Sequence, residues 1–174
     1  MTPAAAGVEA QCRGAAQTQA LAYDLAPLLE AGDVLVLSGG LGAGKTTFVQ
    51  GLARGLGITE PVTSPSFTLV RRYEGRLVLV HADLYRLERV HEVLDLGIDE
   101  LAGDDGVVAV EWGEVARPHL PSGRHGIGDH LEVRLEPGED PEDPDERRVA
   151  LVARGPSWRA RQGRLADLAT GRGA

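Results

Sequence analysis

Residues 39–46 read Gly39-Gly40-Leu41-Gly42-Ala43-Gly44-Lys45-Thr46, the residue types and spacing that hold a polyphosphate. The glycines admit left-handed backbone, so that successive N–H groups converge on an anion with no side chain in between. Lys45 is placed to hold β- and γ-phosphates, and the Thr46 hydroxyl to coordinate Mg²⁺. The flanks support this reading over a glycine-rich turn with an incidental lysine. Val34-Leu35-Val36-Leu37, bounded by Gly32-Asp33 and Gly39, is an unbroken apolar run of the kind found in parallel strands buried on both faces. Val49, Leu52, Ala53 and Leu56 then form one stripe of an amphipathic helix that stops at Gly57. The loop therefore joins a strand to a helix N-terminus, where free N–H groups and about half a positive charge favour phosphate. Nucleotide binding is assigned to Gly39, Gly40, Leu41, Gly42, Ala43, Gly44, Lys45, Thr46 and Thr47.

Further along, His81-Ala82-Asp83-Leu84-Tyr85-Arg86 puts ionisable groups after an apolar run, where strand ends of open α/β sheets meet ligands. Singly, His81 reads as a core or capping histidine and Asp83 as a helix N-cap. Together, beside a phosphate loop, Asp83 is a candidate to orient water or a metal-bound water, and Arg86 to offset phosphate charge. Val107-Val108-Ala109-Val110 is a second unbroken apolar run, ended by Glu111-Trp112. A carboxylate there can hold Mg²⁺ opposite Thr46; the plainer alternative is a solvated strand end. Trp112 either packs or reports on occupancy. In Pro61-Val62-Thr63-Ser64-Pro65-Ser66-Phe67-Thr68, the hydroxyls, Ser64 among them, belong to an ordinary turn or sense the γ-phosphate; spacing alone does not separate the two. Thr18 reads as a helix N-cap, with contact to the base of a nucleotide as a second option.

These groups need a scaffold. Residues 1–14 read as a flexible lead-in. A helix follows from Thr18 through Leu21, Ala22, Leu25, Leu28 and Leu29, with Pro27 ending or kinking it. Phe67–Tyr73 and Arg76–His81 read as strands joined by a two-residue turn at Glu74-Gly75. Residues 88–102 suggest two short helices broken near Gly97. Leu131–Glu136 and Arg147–Ala153 alternate as a half-solvated antiparallel pair, joined by a solvated acidic loop over 137–146. The basic stretch from Gly155, with Trp158, Arg159, Arg161, Arg164 and Arg172, reads as a frayed tail. The expected class is α/β: a P-loop NTPase with a mostly parallel central sheet flanked by helices, an antiparallel hairpin and C-terminal antiparallel strands. A single domain over 15–153 is expected, with flexible termini at 1–14 and 154–174.

Composition narrows the function. A net charge of −8 argues against broad autonomous binding to nucleic acid. The single cysteine, Cys12, forms no internal disulfide, and no Cys/His cluster has zinc spacing. No apolar run approaches the roughly 20 residues of a membrane span. The first ten residues lack the pattern of a signal peptide, so a cytoplasmic protein is expected. No Asp-x-x-Gly occurs and no Asn-Lys-x-Asp follows the last core strand, which favours ATP over GTP. A small-molecule kinase is one alternative, although Arg117 and Arg124 among Pro118, Pro121 and Gly123 make a poor lid. A nucleotide-switched binding module is another.

The order Leu41-Gly42-Ala43-Gly44-Lys45-Thr46-Thr47-Phe48, Ser64-Pro65-Ser66-Phe67-Thr68-Leu69-Val70, His81-Ala82-Asp83-Leu84-Tyr85-Arg86-Leu87 and Glu111-Trp112 resembles the bacterial TsaE family. The resemblance runs from about Thr18 to Val152. The P-loop is generic; the three later motifs in this order are specific. It implies a P-loop ATPase needed for threonylcarbamoyladenosine in tRNA, binding ATP and Mg²⁺ and associating with TsaB and TsaD. TsaD would carry out the transfer, so that tRNA is met through the complex, and hydrolysis would reset it between turnovers. The resemblance also implies that Glu111 is the Mg²⁺-linked carboxylate, that Asp83 matters for hydrolysis, and that Ser64–Thr68 and His81–Arg86 are nucleotide-sensing switches. Gly40, Ser66 and Ala82 stand where many relatives carry Asp, Thr and Phe.

Overall fold

The computed structural model describes residues 7–65, 67–85, 92, 97–112 and 128–171, and the structural statements below concern these residues. The apolar run at Val34 forms β2 (Val34–Ser38), and the stripe after the glycine loop forms α2 (Lys45–Gly55). β4 (Val78–Asp83) and β5 (Gly106–Glu111) are buried along their whole length, as parallel strands covered on both faces must be. With β1 (Val8–Arg13), β3 (Val70–Tyr73), β6 (His130–Pro137) and β7 (Glu146–Arg154) they build one seven-stranded sheet in the order β1-β7-β6-β2-β5-β4-β3. Strands β6, β2, β5 and β4 run parallel in the middle; β3 on one side and β7 on the other pair antiparallel with this block, and β1 pairs antiparallel with β7.

Alternation along the strands divides the core between two faces. Leu35 and Leu37 of β2, Leu79 of β4, Ala109 of β5 and Leu131, Val133 and Leu135 of β6 pack with α1 (Gly14–Leu25), α2 and the C-terminal helices. Val34, Val36, Val80, Ala82, Val108 and Val110 face the other way, toward α3 (Ile98–Ala102). Helices α1 and α2 approach closely because α2 carries Gly51 and Gly55. A Cβ at Gly51 would lie 2.2 Å from the Gln19 carbonyl oxygen, and one at Gly55 2.6 Å from that of Tyr23.

Several expectations give way to the structure. Helix α1 begins at Gly14 rather than Thr18. The Arg13 N–H is satisfied by Gln17 Oε1 at 2.7 Å, and Pro27 lies in a single 3₁₀ turn, Ala26–Leu28, that closes the helix. The lead-in is not all flexible: Val8–Arg13 pairs antiparallel with β7 and buries Ala10 and Cys12, a sequence of alternating small residues whose partner lies far along the chain. The hairpin turn spans four residues, because Arg76 is drawn to the ends of the helices, donating to the Leu56 carbonyl through its backbone and to the Ala26 carbonyl through its guanidinium. Strand β6 is not half-solvated. It pairs parallel with β2, and the polar side chain Glu132 on its second face is buried between Arg134 and Arg154. The acidic loop is a pair of turns in which Asp140 and Asp143 accept N–H bonds from the residues two positions on, and the Glu146 carboxylate is buried against Asp140 N. Of residues 88–102, only Glu92 and residues 97–102 lie within the described residues.

The basic tail is the largest departure from the frayed reading. It forms α4 (Gly155–Ala160) and α5 (Gln162–Ala169), burying Trp158 and Leu165 in the main core. Asp129 caps α4 through Ser157. Arg161 lies over the Trp158 ring and makes a buried two-pronged bond to Asp33, at 2.6 and 2.8 Å, immediately before β2. Removing one partner of a buried pair strands the other charge, which costs about 3–5 kcal/mol. Arg161→Met is accordingly expected to lower unfolding free energy by about 3 kcal/mol in urea titration; a loss below about 1 kcal/mol, the range of a surface pair, would contradict the structural role.

Candidate nucleotide site

The glycine loop keeps its shape because Gly39, Gly42 and Gly44 take positive φ, at 147°, 74° and 101°. Gly44, in the left-handed region, is the N-cap of α2 and has no side chain to occupy the space where N–H groups emerge. At Gly39 a second constraint applies, since a Cβ would sit 2.4 Å from the Leu135 carbonyl oxygen of β6. Lys45 folds back over the loop: its Nζ donates to the carbonyls of Gly39 and Gly40, at 2.8 and 2.9 Å, and lies 3.8 Å from the centre of the Trp112 ring.

Strand register assembles the remainder. Leu37 of β2, Glu111 of β5 and Asp83 of β4 are successive partners across the sheet. The two carboxylates therefore end neighbouring strands, below the first turn of α2. Thr46 Oγ1 donates to Glu111 Oε1 at 2.7 Å, and His81 Nε2 lies 2.8 Å from the same oxygen. Asp83 is held at both oxygens, by the Ser64 hydroxyl at 3.0 Å and by the Tyr85 N–H at 3.0 Å. Trp112 turns out of β5 with φ of 60°, and its ring meets that of Tyr85 at 4.8 Å. Residues 41–47 with Ser64, Asp83, Tyr85, Glu111 and Trp112 line one cleft of about 400 Å³.

Of the residues proposed from sequence, Lys45, Thr46, Thr47, Ser64, Asp83 and Glu111 thus come together around this cleft, with Leu41, Gly42, Ala43 and Gly44 at its wall. Gly39 and Gly40 meet it through the carbonyls that hold Lys45. Thr18 does not reach it. It is buried inside α1, bonded to the Gly14 carbonyl at 3.4 Å and to Cys12, whose thiol pKa is pushed up by burial and partly lowered again by that bond. Arg86 and Ser66 lie outside the described residues, as do Arg117 and Arg124. Sequence reasoning missed two contributors. Tyr85 places its ring at the cleft rim, 56% exposed, and Arg147 of β7 reaches the Gly42 carbonyl at 3.4 Å while bonding the carbonyls of Pro144 and Glu146. The Tyr85 signal was its place two residues after Asp83; Arg147 had none, because its approach depends on the pairing of β6 with β7.

A glycine loop between a buried strand and a helix, facing a carboxylate on the adjacent parallel strand, defines the P-loop class of α/β proteins. The family described as "Threonylcarbamoyl adenosine biosynthesis protein TsaE" matches residues 12–148. Proteins named tRNA threonylcarbamoyladenosine biosynthesis protein TsaE are among the similar sequences. The one from Bacillus subtilis is 43% identical over 140 residues, covering 80% of this chain and 81% of its own. The one from Treponema pallidum is 53% identical over 94 residues, covering 54% and 70%. The crystal structure of Bacillus subtilis YdiB superposes with a TM-score of 0.74 at 34% identity, over 92% of this chain and 95% of that one. The chain belongs to the TsaE family.

The loop geometry separates two glycines. Gly42 has nothing within 4 Å of an added Cβ, so Gly42→Ala meets only the left-handed penalty of about 1–2 kcal/mol. Gly39→Ala must in addition push the β6 backbone away, and is expected to lower the thermal midpoint clearly further. Equal shifts in paired melts would contradict the described loop.

Proposed function

We propose that this chain is a Mg²⁺-dependent ATPase that acts with TsaB and TsaD in the threonylcarbamoylation of tRNA, meeting the tRNA through that complex. The observation that carries the reading is the convergence of Lys45, Thr46, Asp83 and Glu111 on one cleft beside a left-handed glycine loop. The donor set suits the ion: a hydroxyl and a carboxylate oxygen, held 2.7 Å apart, are hard ligands. Among the described residues no cluster of three His, Cys, Asp or Glu could hold a metal alone. Magnesium is commonly held in that way, by one or two protein oxygens with phosphate and water completing the shell. When bound, the ion would neutralise charge developing on the phosphate oxygens.

The chain's own residues then have distinct tasks. Backbone N–H groups of the loop bind the phosphates. Lys45 exchanges the Gly39 and Gly40 carbonyls for phosphate oxygens and leaves the Trp112 face. Asp83, fixed at both oxygens by Ser64 and Tyr85, orients a water toward the γ-phosphorus. The water oxygen bonds to phosphorus as the bond to the bridging oxygen breaks, the water gives up a proton to a phosphate oxygen, and ADP and inorganic phosphate leave. Membership of a family named for threonylcarbamoyl adenosine biosynthesis supports placing this hydrolysis in tRNA modification. Among the described residues no helix is long and apolar enough to cross a membrane.

Lys45 is the chain's only lysine, so an acyl-phosphate ATP probe should label that one side chain and be blocked by ATP. Asp83→Ala is expected to retain nucleotide binding while phosphate release falls by at least about tenfold, as for loss of a water-positioning group. Loss of a transition-state cation holds P-loop hydrolysis back by about 10³–10⁵, so turnover should be slow alone and rise when TsaB and TsaD are added. Fast hydrolysis that TsaB and TsaD leave unchanged, or undiminished tRNA modification by Asp83→Ala through repeated turnovers, would overturn the proposal.

A further inference from the structure

We propose that His81 is a positioning residue which locks the Glu111 carboxylate for its metal-facing task; this inference rests on the magnesium–triphosphate reading of the cleft. Alternation along β4 puts Leu79, His81 and Asp83 on the face covered by α2, and the register pairs His81 with Ala109 and Asp83 with Glu111. The imidazole thus lies one row deeper in the sheet than the two carboxylates. It has no exposure to solvent, and its Nε2 meets Glu111 Oε1 at 2.8 Å.

The bonding at Glu111 is lopsided. Oε1 accepts from the Thr46 hydroxyl and from His81 Nε2, while Oε2 has no hydrogen bond to either. Two donors arriving from different elements, α2 and β4, fix the plane of the carboxylate. The Thr46 proton is committed to Glu111, so that hydroxyl's lone pairs remain for a cation, and Oε2 remains for the cation or its water. An N–H at Nε2 is present in the neutral Nε2–H tautomer and in the imidazolium, so the clamp does not depend on the charge of the ring. The opposite nitrogen, Nδ1, is buried with no hydrogen-bond partner among the described residues. A ring serving only to fill the core would be better replaced by an apolar side chain, because an unsatisfied buried nitrogen is costly. Among the described residues the ring's one polar engagement is with Glu111. Groups that orient a metal-linked side chain from behind typically change metal affinity 10–100-fold when removed.

The test compares His81→Gln with His81→Asn. The glutamine amide can place an N–H near the Nε2 position, whereas the asparagine amide is one methylene short of Glu111. Each variant, after confirming a cooperative melt, is titrated with a fluorescent ATP analogue in EDTA and in Mg²⁺. Mn²⁺ bound in the ternary complex is followed by electron paramagnetic resonance. In EDTA both variants should bind the analogue within about twofold of the parent. With metal, His81→Asn should lose about tenfold or more of the metal-dependent gain and of Mn²⁺ affinity. His81→Gln should keep most of both. Equal metal coupling in parent and His81→Asn would overturn the inference and leave the nucleotide reading standing, as would equal losses in Gln and Asn. A parent chain that binds no analogue, with or without metal, would remove the reading itself and the inference with it.

Discussion

The parallel register of β2, β5 and β4 is the constraint on which the site depends. It sets Leu37, Glu111 and Asp83 side by side, so that a carboxylate arrives directly beside the strand that feeds the glycine loop. A slip of one residue in either pairing would turn Glu111 or Asp83 to the opposite face. The apolar runs prevent that slip, because both sheet faces are covered and each strand has one arrangement that buries its branched side chains. The chemistry at the strand ends is thus fixed by hydrophobic packing well below it.

Lys45 shows how the cleft is organised. Its ammonium is buried, bonded to two loop carbonyls and seated over an indole ring. A buried cation without partners would be costly, and these contacts satisfy it. The strained φ of Trp112 follows from the same need, since the ring must turn back from the strand end to cover Lys45 and meet Tyr85. Local strain of this kind persists where the surroundings over-determine it. Here the Trp112 N–H is also held by the Leu37 carbonyl.

The central fold and most of the cleft were legible because their signals are local. An unbroken apolar run, a glycine loop and a helical stripe are read within about twenty residues, and Glu111 and Asp83 announce themselves as charges ending apolar strands. The parts that were not legible depend on distant partners. Val8–Arg13 alternates apolar and polar residues, but the run is short, its buried side chains Ala10 and Cys12 are small, and it becomes a strand through β7. Arg161 looks like one arginine in a basic tail until Asp33 is placed beside it. The His81 contact needs a register that no stretch of β4 encodes. Thr18 illustrates the converse error: a residue with a plausible local role as a cap lies inside a longer helix, because Gly14 and Gln17 supply the start.

The arrangement of β1 and β7 bears on how the chain reaches its final form. The first strand of the sequence has the last strand as its sheet partner, and β6, beside the glycine loop, sits between that last strand and β2. During synthesis from the N-terminus, the half of the sheet behind Gly39 cannot close until residues beyond 154 have emerged, since α4 and α5 deliver Trp158 and Arg161 to the core. Such long-range closure is slow compared with local pairing. A shortened nascent chain would carry the complete glycine loop on a sheet with one side still open.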